Sequence, residues 1–385
     1  MSSDSEGVSP AGVISLVPAP ARLPERTEGL RRELRAFLAE ELAAGHWRPM
    51  VDGWCAGWDE RLSRELGARG WLGLTLPARY GGQQRTALDR YVVVEELVAA
   101  GAPVGAHWVA DQQVGPALVR FGTERQRREL LPGIAAGRLY FGVAVSEPGA
   151  GSDVASVATR ATRVPGGWSL SGTKAWVSGV RRAHAVVLLA RTEPVDPGHR
   201  HAGLSQFIVR TESPGLTIRG VPVITQRDQL SELTLREVFV PDSLVLGQLG
   251  AGWAQVTAQL AVERSGPEQF MSTFPLLRAV LGSAQPAGRA ELGRLVARLW
   301  TLRQMSLGVA GALDGPEPPD LAAALVKDRG TRFEREVLDL SRRVLGPARP
   351  GEPLADAVRA VPSFTLRGGT NEVLRGIVAR GLGLR

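Results

Sequence analysis

The sequence predicts an α+β chain built as three consecutive parts: helical, then β, then helical again. Three observations carry this. Apolar residues recur at spacings of three and four from about 26 to 135, the period drops to two from about 140 to 245, and the helical period returns from about 251 onward. The changes of period place a polar tail at 1–24, a helical domain at 25–138, a β-domain at 139–246 and a second helical domain at 247–385.

Residues 1–24, rich in Ser, Pro and Ala, lack periodicity and are expected to be disordered. Leu30, Leu34, Phe37, Leu38 and Leu42 then share one helix face, and Leu62 and Leu66 continue the theme. A helix over 87–100 is closed by Gly101 and Pro103, and Gly122 stops another over 114–121. Thr123 with Gln126 three places on is a capping box, and Pro132 is expected to end that helix. In the β region, 155–163 reads as a strand and Pro165-Gly166-Gly167 as a turn. Segments 168–170 and 174–178 flank a second turn at Ser171-Gly172, followed by strands at 184–192, 204–211, 215–221 and 231–241. Short, closely spaced strands suggest a small barrel or sandwich. Amphipathic helices follow near 252–264, 269–282, 287–313, 320–346 and 370–382.

Composition removes several classes of function. Among 385 residues, 44% are hydrophobic and 22% charged, ordinary for a globular protein. No apolar run reaches the ~18 residues of a membrane span. The first residues, MSSDSEGVSP, lack the pattern of a secretory signal, so a cytoplasmic location is the expectation. Basic residues number 46 against 39 acidic, a net +7, and Lys174 and Lys327 are the only lysines. The arginines are interspersed with acids, as in RTEGLRRELR (26–35), so no nucleic-acid partner is expected. The excess suits an anionic partner such as coenzyme A or an acidic carrier protein. Cys55 is the single cysteine and reads as a small hydrophobe beside Trp54. His199 and His201 share a loop without further ligand types, so no metal site is expected. GxGxxG after a strand, a phosphate-binding Gly-Lys-Ser/Thr loop, HExxH and GxSxG are all absent.

Residues 145–153, Val-Ser-Glu-Pro-Gly-Ala-Gly-Ser-Asp, form a tight loop after an apolar strand. Its glycines permit close backbone approach to a ligand, and its hydroxyls and free amides suit an anion or a polar ring edge. From physics alone, a plain interdomain turn fits equally well. The wording resembles the Ser/Thr-Glu-Pro-Gly-Ala-Gly-Ser-Asp signature of the acyl-CoA dehydrogenases. GWLGLTLPARYGG (70–82), GTKAWVSG (172–179) and LRGGTNEVLRGIVARGLG (366–383) look like three further segments of that family, in its order. The resemblance implies a helical N-terminal domain, a central β-barrel and a C-terminal four-helix bundle, with FAD between them. FAD contacts would come from Val143, Val145, Ser146, Gly151, Ser152, Trp176, Ser178, Thr370 and Glu372. Thr370 would cap the last helix, whose positive end suits the cofactor.

Oxidation of a thioester at Cα–Cβ needs a base for the α-proton, a polarised carbonyl and a hydride acceptor. Many family members carry the base as a Glu just before Gly-Thr in the C-terminal loop, where this chain has Gly368. Another branch places it on the first C-terminal helix before an Arg, matching Glu263-Arg264. Trp253, Val256, Leu260 and Glu263 step by three, four and three along one helix face, and a carboxylate ending such a stripe is costly unless paired or used. Pro267 is expected to end or kink that helix just beyond. A surface ion pair at a helix end is the plainer reading of Glu263. The resemblance makes Glu263 the base and puts Ser152, Arg264, Gly368 and Gly369 against the substrate, with the Gly368 amide still able to polarise the carbonyl. It implies an acyl-CoA or acyl-carrier-protein substrate, an electron-transfer flavoprotein as acceptor and a homodimer or homotetramer. Two departures bear on assembly: no Arg-x-x-Phe segment follows residue 270, and 342–347 reads Arg-Arg-Val-Leu-Gly-Pro. An oxygen-using oxidase or monooxygenase of the same fold, or a low-activity partner subunit of a hetero-oligomer, are the other readings.

Overall fold

The computed structural model describes residues 19, 21–225, 229–264, 266–283, 288–315 and 319–384, with the side chains of Ala261 and Val262 left aside. Most of the expected tail at 1–24 lies outside the described residues.

The N-terminal domain holds α1 (Arg26–Ala43), α2 (Gly53–Ala56), α3 (Glu60–Ala68), α4 (Ala87–Ala100), α5 (Gly105–Val109), α6 (Gly115–Phe121) and α7 (Glu124–Ala135). A π-turn at Ala110–Val114 separates α5 from α6. Helix α4 is capped as its sequence dictates. Thr86 and Asp89 form a reciprocal capping box, and Gly101 closes the helix at φ 69°, a left-handed angle that glycine adopts without strain. The Thr123–Gln126 box of α7 is present too. Pro132 does not end α7, which runs on to Ala135. A proline three residues from a helix end removes one hydrogen bond near carbonyls that lack helical partners anyway.

The β-domain is one eight-stranded sheet of β1 (Phe141–Ala144), β2 (Arg160–Val164), β3 (Gly167–Ser178), β4 (Ala185–Arg191), β5 (Leu204–Arg210), β6 (Leu216–Gly220), β7 (Leu230–Pro241) and β8 (Val245–Leu246). Its order is β6-β7-β3-β2-β4-β5-β8, with β1 parallel to β4. Edge strands β6 and β8 are not paired to each other, so the ladder stays open there. Two local expectations change. Residues 154–156 form a 3-10 turn and β2 begins only at Arg160. Ser171-Gly172 is no turn: β3 runs through it, with register shifts at 170/172 and 174/177. Gly172 is needed because a Cβ there would fall 2.7 Å from Thr159 Cα.

The C-terminal domain holds α8 (Gly252–Glu263), α9 (Glu268–Met271), α10 (Phe274–Gly282), α11 (Arg289–Ala312), α12 (Asp320–Leu345), α13 (Pro353–Phe364) and α14 (Asn371–Gly381). The helix expected at 269–282 is broken at Ser272-Thr273, because Pro275 opens the first turn of a new helix. Helix α13 falls between the expected helices at 320–346 and 370–382, where none was read from the periodicity. Both helical domains share one apolar core, in which Leu34, Phe37, Trp54 and Trp108 join Phe270, Leu276, Phe333 and Phe364. Buried ion pairs tie them further, with Glu95 of α4 accepting from Arg31 of α1 at 2.9 Å and from Arg303 of α11 at 2.6 Å.

Candidate active site

The loop after β1 and the end of β3 lie side by side. Ala175 N donates to Ser146 O at 2.9 Å, which brings the 145–152 loop against the 174–178 segment. Beneath the loop, the Lys174 ammonium donates to Val145 O at 3.0 Å and to Glu147 Oε1 at 2.8 Å. The Glu147 carboxylate also accepts from the amides of Ala158 and Thr159 at 2.7 and 2.9 Å. Burial pushes Lys174 down to about 8 against the pull of Glu147. For Glu147, burial acts upward, but Lys174 and the amides outweigh it and the carboxyl sits below its ordinary value.

The irregularity between Lys174 and Val177 re-aims one side chain. Trp176 has φ 62° and is 56% exposed. A bulky residue held at positive φ is an outlier, and bulges beside sites commonly aim a side chain outward. The result is an exposed aromatic face on the strand that pairs with the 145–152 loop, in which Gly151 and Ser152 are also exposed.

Helix α8 joins this wall to the rest of the site. Trp253, Val256 and Leu260 pack with Val145 and Ala150 of the loop, so the stripe read from the sequence does face the β-domain. Trp253 also stacks on His201, with ring centroids 3.8 Å apart. Glu263 ends the stripe and the helix. Gln269 Nε2 donates to its carbonyl at 2.9 Å, satisfying a group that the helix leaves open before Pro267.

The Glu263 carboxylate projects toward the 366–370 loop. A Cβ placed on Gly368 would fall 2.6 Å from Glu263 Oε1 and 2.3 Å from Lys327 Nζ. The helix-borne acid and a buried ammonium therefore share the space that a side chain at 368 would fill. Burial pushes Lys327 down to about 8, and Glu263 acts in the opposite sense. Arg264 Nε donates to Gly368 O at 3.0 Å, and its guanidinium would lie 3.0 Å from a Cβ on Gly369. Arg264 thus clamps the loop backbone. Next in the loop, Arg367 makes a paired contact with Asp52, each N···O distance 2.7 Å, and lies 4.4 Å from the ring centres of Trp54 and Phe364. Arg367 and Ser178 both act on the Cys55 thiol, which places the end of β3 beside this loop. Burial pushes that thiol up to about 11, so Cys55 is an inert packing residue as read from sequence. Thr370 caps α14, accepting from Val373 N at 3.3 Å, while Glu372 is exposed in its first turn.

Val145 and Ser146 thus lie against the 174–175 stretch that leads to Trp176 and Ser178, and Glu263 and Arg264 lie with Gly368 and Gly369, while Val143 packs on the core of the N-terminal domain. Sequence reasoning missed Lys174, Glu147, Lys327, Arg367 and Asp52. The rarity of lysine in an arginine-rich chain was a signal for the first and third. No group of three or more His, Cys, Asp or Glu that could hold a metal occurs among the described residues.

The segments fit a flavin. An outward aromatic face, a glycine-bearing loop with free hydroxyls and a capped helix N-terminus suit a flat ring system with an anionic tail. The comparisons agree. The acyl-CoA dehydrogenase N-terminal, middle and C-terminal domain models match residues 24–138, 142–238 and 277–383. The acyl-CoA dehydrogenase FadE26 of Mycobacterium tuberculosis is 34% identical, over 92% of this chain and 96% of that protein. The structure of the Tcur3481-Tcur3483 steroid ACAD superposes with a TM-score of 0.83 at 32% identity, covering 94% of this chain and 99% of its match. The ChsE4-ChsE5 complex from Mycobacterium tuberculosis superposes at 0.78 and 32%, with the same coverage. The chain belongs to the acyl-CoA dehydrogenase family. It is an FAD-dependent enzyme that dehydrogenates acyl thioesters.

Proposed function

We propose that Glu263 is the base that removes the α-proton of an acyl-CoA or acyl-carrier-protein thioester, giving the 2,3-enoyl product. The observation that carries this is the position of its carboxylate, in the space a side chain at 368 would occupy. The loop residue is reduced to hydrogen and the acid arrives from α8 instead. The role needs an ionised carboxylate close to the proton it takes. The buried Lys327 ammonium lies on the same side of the loop, sharing with the carboxylate the space beside Gly368. Arg264 holds the loop so that the Gly368 amide can polarise the thioester carbonyl.

Bound FAD supplies the hydride acceptor for Cβ. Val143, Val145, Ser146, Gly151, Ser152, Trp176, Ser178, Thr370 and Glu372 would hold it, and an electron-transfer flavoprotein would take its electrons. Ser152, Arg264, Gly368 and Gly369 would meet the substrate. Anaerobic titration of the FAD-loaded protein with a panel of acyl-CoAs tests the reading. The wild type bleaches flavin absorbance and Glu263→Gln does not; bleaching at an undiminished rate by the variant places the base elsewhere. Rapid reoxidation of the reduced protein by air would favour an oxygen-using enzyme instead.

A hetero-oligomer is a second reading. One similar structure is named as a complex of two proteins, and α11 exposes Trp300 and Val296, a patch suited to a partner chain. A native mass equal to a homodimer or homotetramer with full turnover would remove it.

A further inference from the structure

Glu263 also borders a small cavity of about 30 Å³ whose wall is mixed, with Ala87, Val94, Pro267, Ala310 and Leu313 beside a set of polar groups. Arg90 and Tyr91 of α4, Gln112 and Gln113 of the π-turn, and Glu268 of α9 line it, with Trp108 as its aromatic side. A chamber for a plain hydrocarbon tail is normally apolar. A π-turn inserted between helices is itself a common mark of a functional wall.

Arg90 is the unusual member. Among the described residues its guanidinium makes no side-chain hydrogen bond and no ion pair, although burial is strong enough to push its pKa down. The carboxyls of Asp111, Glu268 and Asp314 act on it from beyond contact distance. Each is engaged elsewhere. Asp111 accepts from Gly73 N at 2.7 Å and Gln112 Nε2 at 2.6 Å, Asp314 accepts from Ala87 N at 3.1 Å, and Glu268 accepts from Gln269 Nε2 at 3.3 Å. The half-buried guanidinium, with five donors, thus lines the cavity without a side-chain partner among the described residues.

We propose that this cavity receives the distal end of the acyl group, and that Arg90 there binds a neutral oxygen acceptor, a ketone or hydroxyl, a few bonds beyond Cβ. The proposal rests on the dehydrogenase reading with Glu263 as base, since Glu263 is what places the cavity next to Cα. Charge decides between a neutral oxygen and a carboxylate. Glu268, Asp111 and Asp314 already act on this guanidinium, Glu263 lines the same cavity, and burial raises Glu268 to about 7. A fifth carboxyl would enter a space where ionised carboxyls are already disfavoured. A neutral acceptor satisfies Arg90 without adding charge.

The experiment compares pentanoyl-CoA, 4-oxopentanoyl-CoA and glutaryl-CoA on the FAD-loaded protein. Binding is read by tryptophan quenching, and dehydrogenation separately by anaerobic bleaching of the flavin. The oxo compound should bind about 10-fold more tightly than the plain chain, the scale of a hydrogen bond to a charged donor. Arg90→Met should erase that preference while changing pentanoyl-CoA binding by no more than about 2-fold. Arg90→Lys, a milder change, should retain only part of the preference, because a compact ammonium cannot reproduce the fork. The proposal is overturned if the plain chain binds as tightly as the oxo compound, if glutaryl-CoA binds best, or if Arg90→Met weakens all three equally. Should a variant fail to fold, the wild-type order of affinities still decides. A protein that binds in the expected order but is bleached by none of the three would keep the subsite and lose the dehydrogenase reading.

Discussion

The two lysines of this chain sit in the two halves of the active site, and their surroundings differ. Both are buried, and burial pushes both down to about 8. Lys174, under the flavin-side loop, is saturated: Glu147 and the Val145 carbonyl take its protons, and Glu147 is in turn held by two amides. Lys327, under the C-terminal loop, faces the acid at Glu263, with Glu268, Arg264 and Arg367 also acting on it. Only the first pair is closed off by fixed partners on both sides, which makes it a scaffold. The second faces the acid proposed as the base.

That contrast can be broken from either side. The largest effect is expected for Lys174→Met. Removing one partner of a buried ion pair leaves the other uncompensated, so stability should fall by roughly 3–5 kcal/mol, with loss of bound flavin. Denaturant midpoints and the ratio of flavin to protein absorbance check it. Lys327→Met should fold, so a comparable collapse there would dissolve the distinction.

Next in size is Gly368→Ala. Residue 368 sits at φ 61°, and the added methyl would press on both the Lys327 ammonium and the Glu263 carboxylate. A displacement of this kind at a base costs on the order of 100-fold in kcat/KM. The FAD content should be unchanged, because the disturbance lies on the acid's side of the site. Steady-state assay together with flavin quantitation separates the two.

A smaller change, specific in form, is expected for Lys327→Met in the pH profile of kcat/KM. In the wild type the ammonium is itself lost near pH 8, so the profile should carry an inflection there that the variant lacks. A merely structural lysine would lower the whole curve without changing its shape.

The smallest effect belongs to Glu334, buried on α12 with Oε1 unpartnered and its carboxyl pushed up to about 8 by burial. The folded protein keeps this proton more tightly than the unfolded chain does. The stability that comes from this is full below the ordinary carboxyl range and is lost as pH rises through about 8. Glu334→Gln should therefore flatten the fall in Tm between pH 5 and 9. A Tm profile parallel to that of the wild type would contradict it.

Much of this site was legible in the chain. The 145–153 loop, the KAWVSG strand and the stripe ending at Glu263 are continuous segments, where spacing and wording carry the information. The stripe of α8 in particular packs on the face that its periodicity gives. What was not legible is mostly pairing at a distance. Asp52 and Arg367 are separated by 315 positions, and nothing local in either segment announces the other. The β3 register shift at 170/172 was read as a turn at Ser171-Gly172, because a glycine placed for close approach to Thr159 looks, in sequence, like a glycine placed to bend the chain. Lys174 and Lys327 were visible only as a scarcity, which points to importance without giving a partner. Arg90 carried no signal, since an arginine on an amphipathic helix is unremarkable until its neighbours are known.

The most direct test of the central claim is the rate at which a saturating acyl-CoA bleaches the flavin in a single anaerobic turnover, compared between wild type and Glu263→Gln. If the carboxylate at 263 takes the α-proton, the rate should fall by about 10²–10⁴-fold with substrate binding retained. An equal rate in the two proteins would show that the proton leaves by another route.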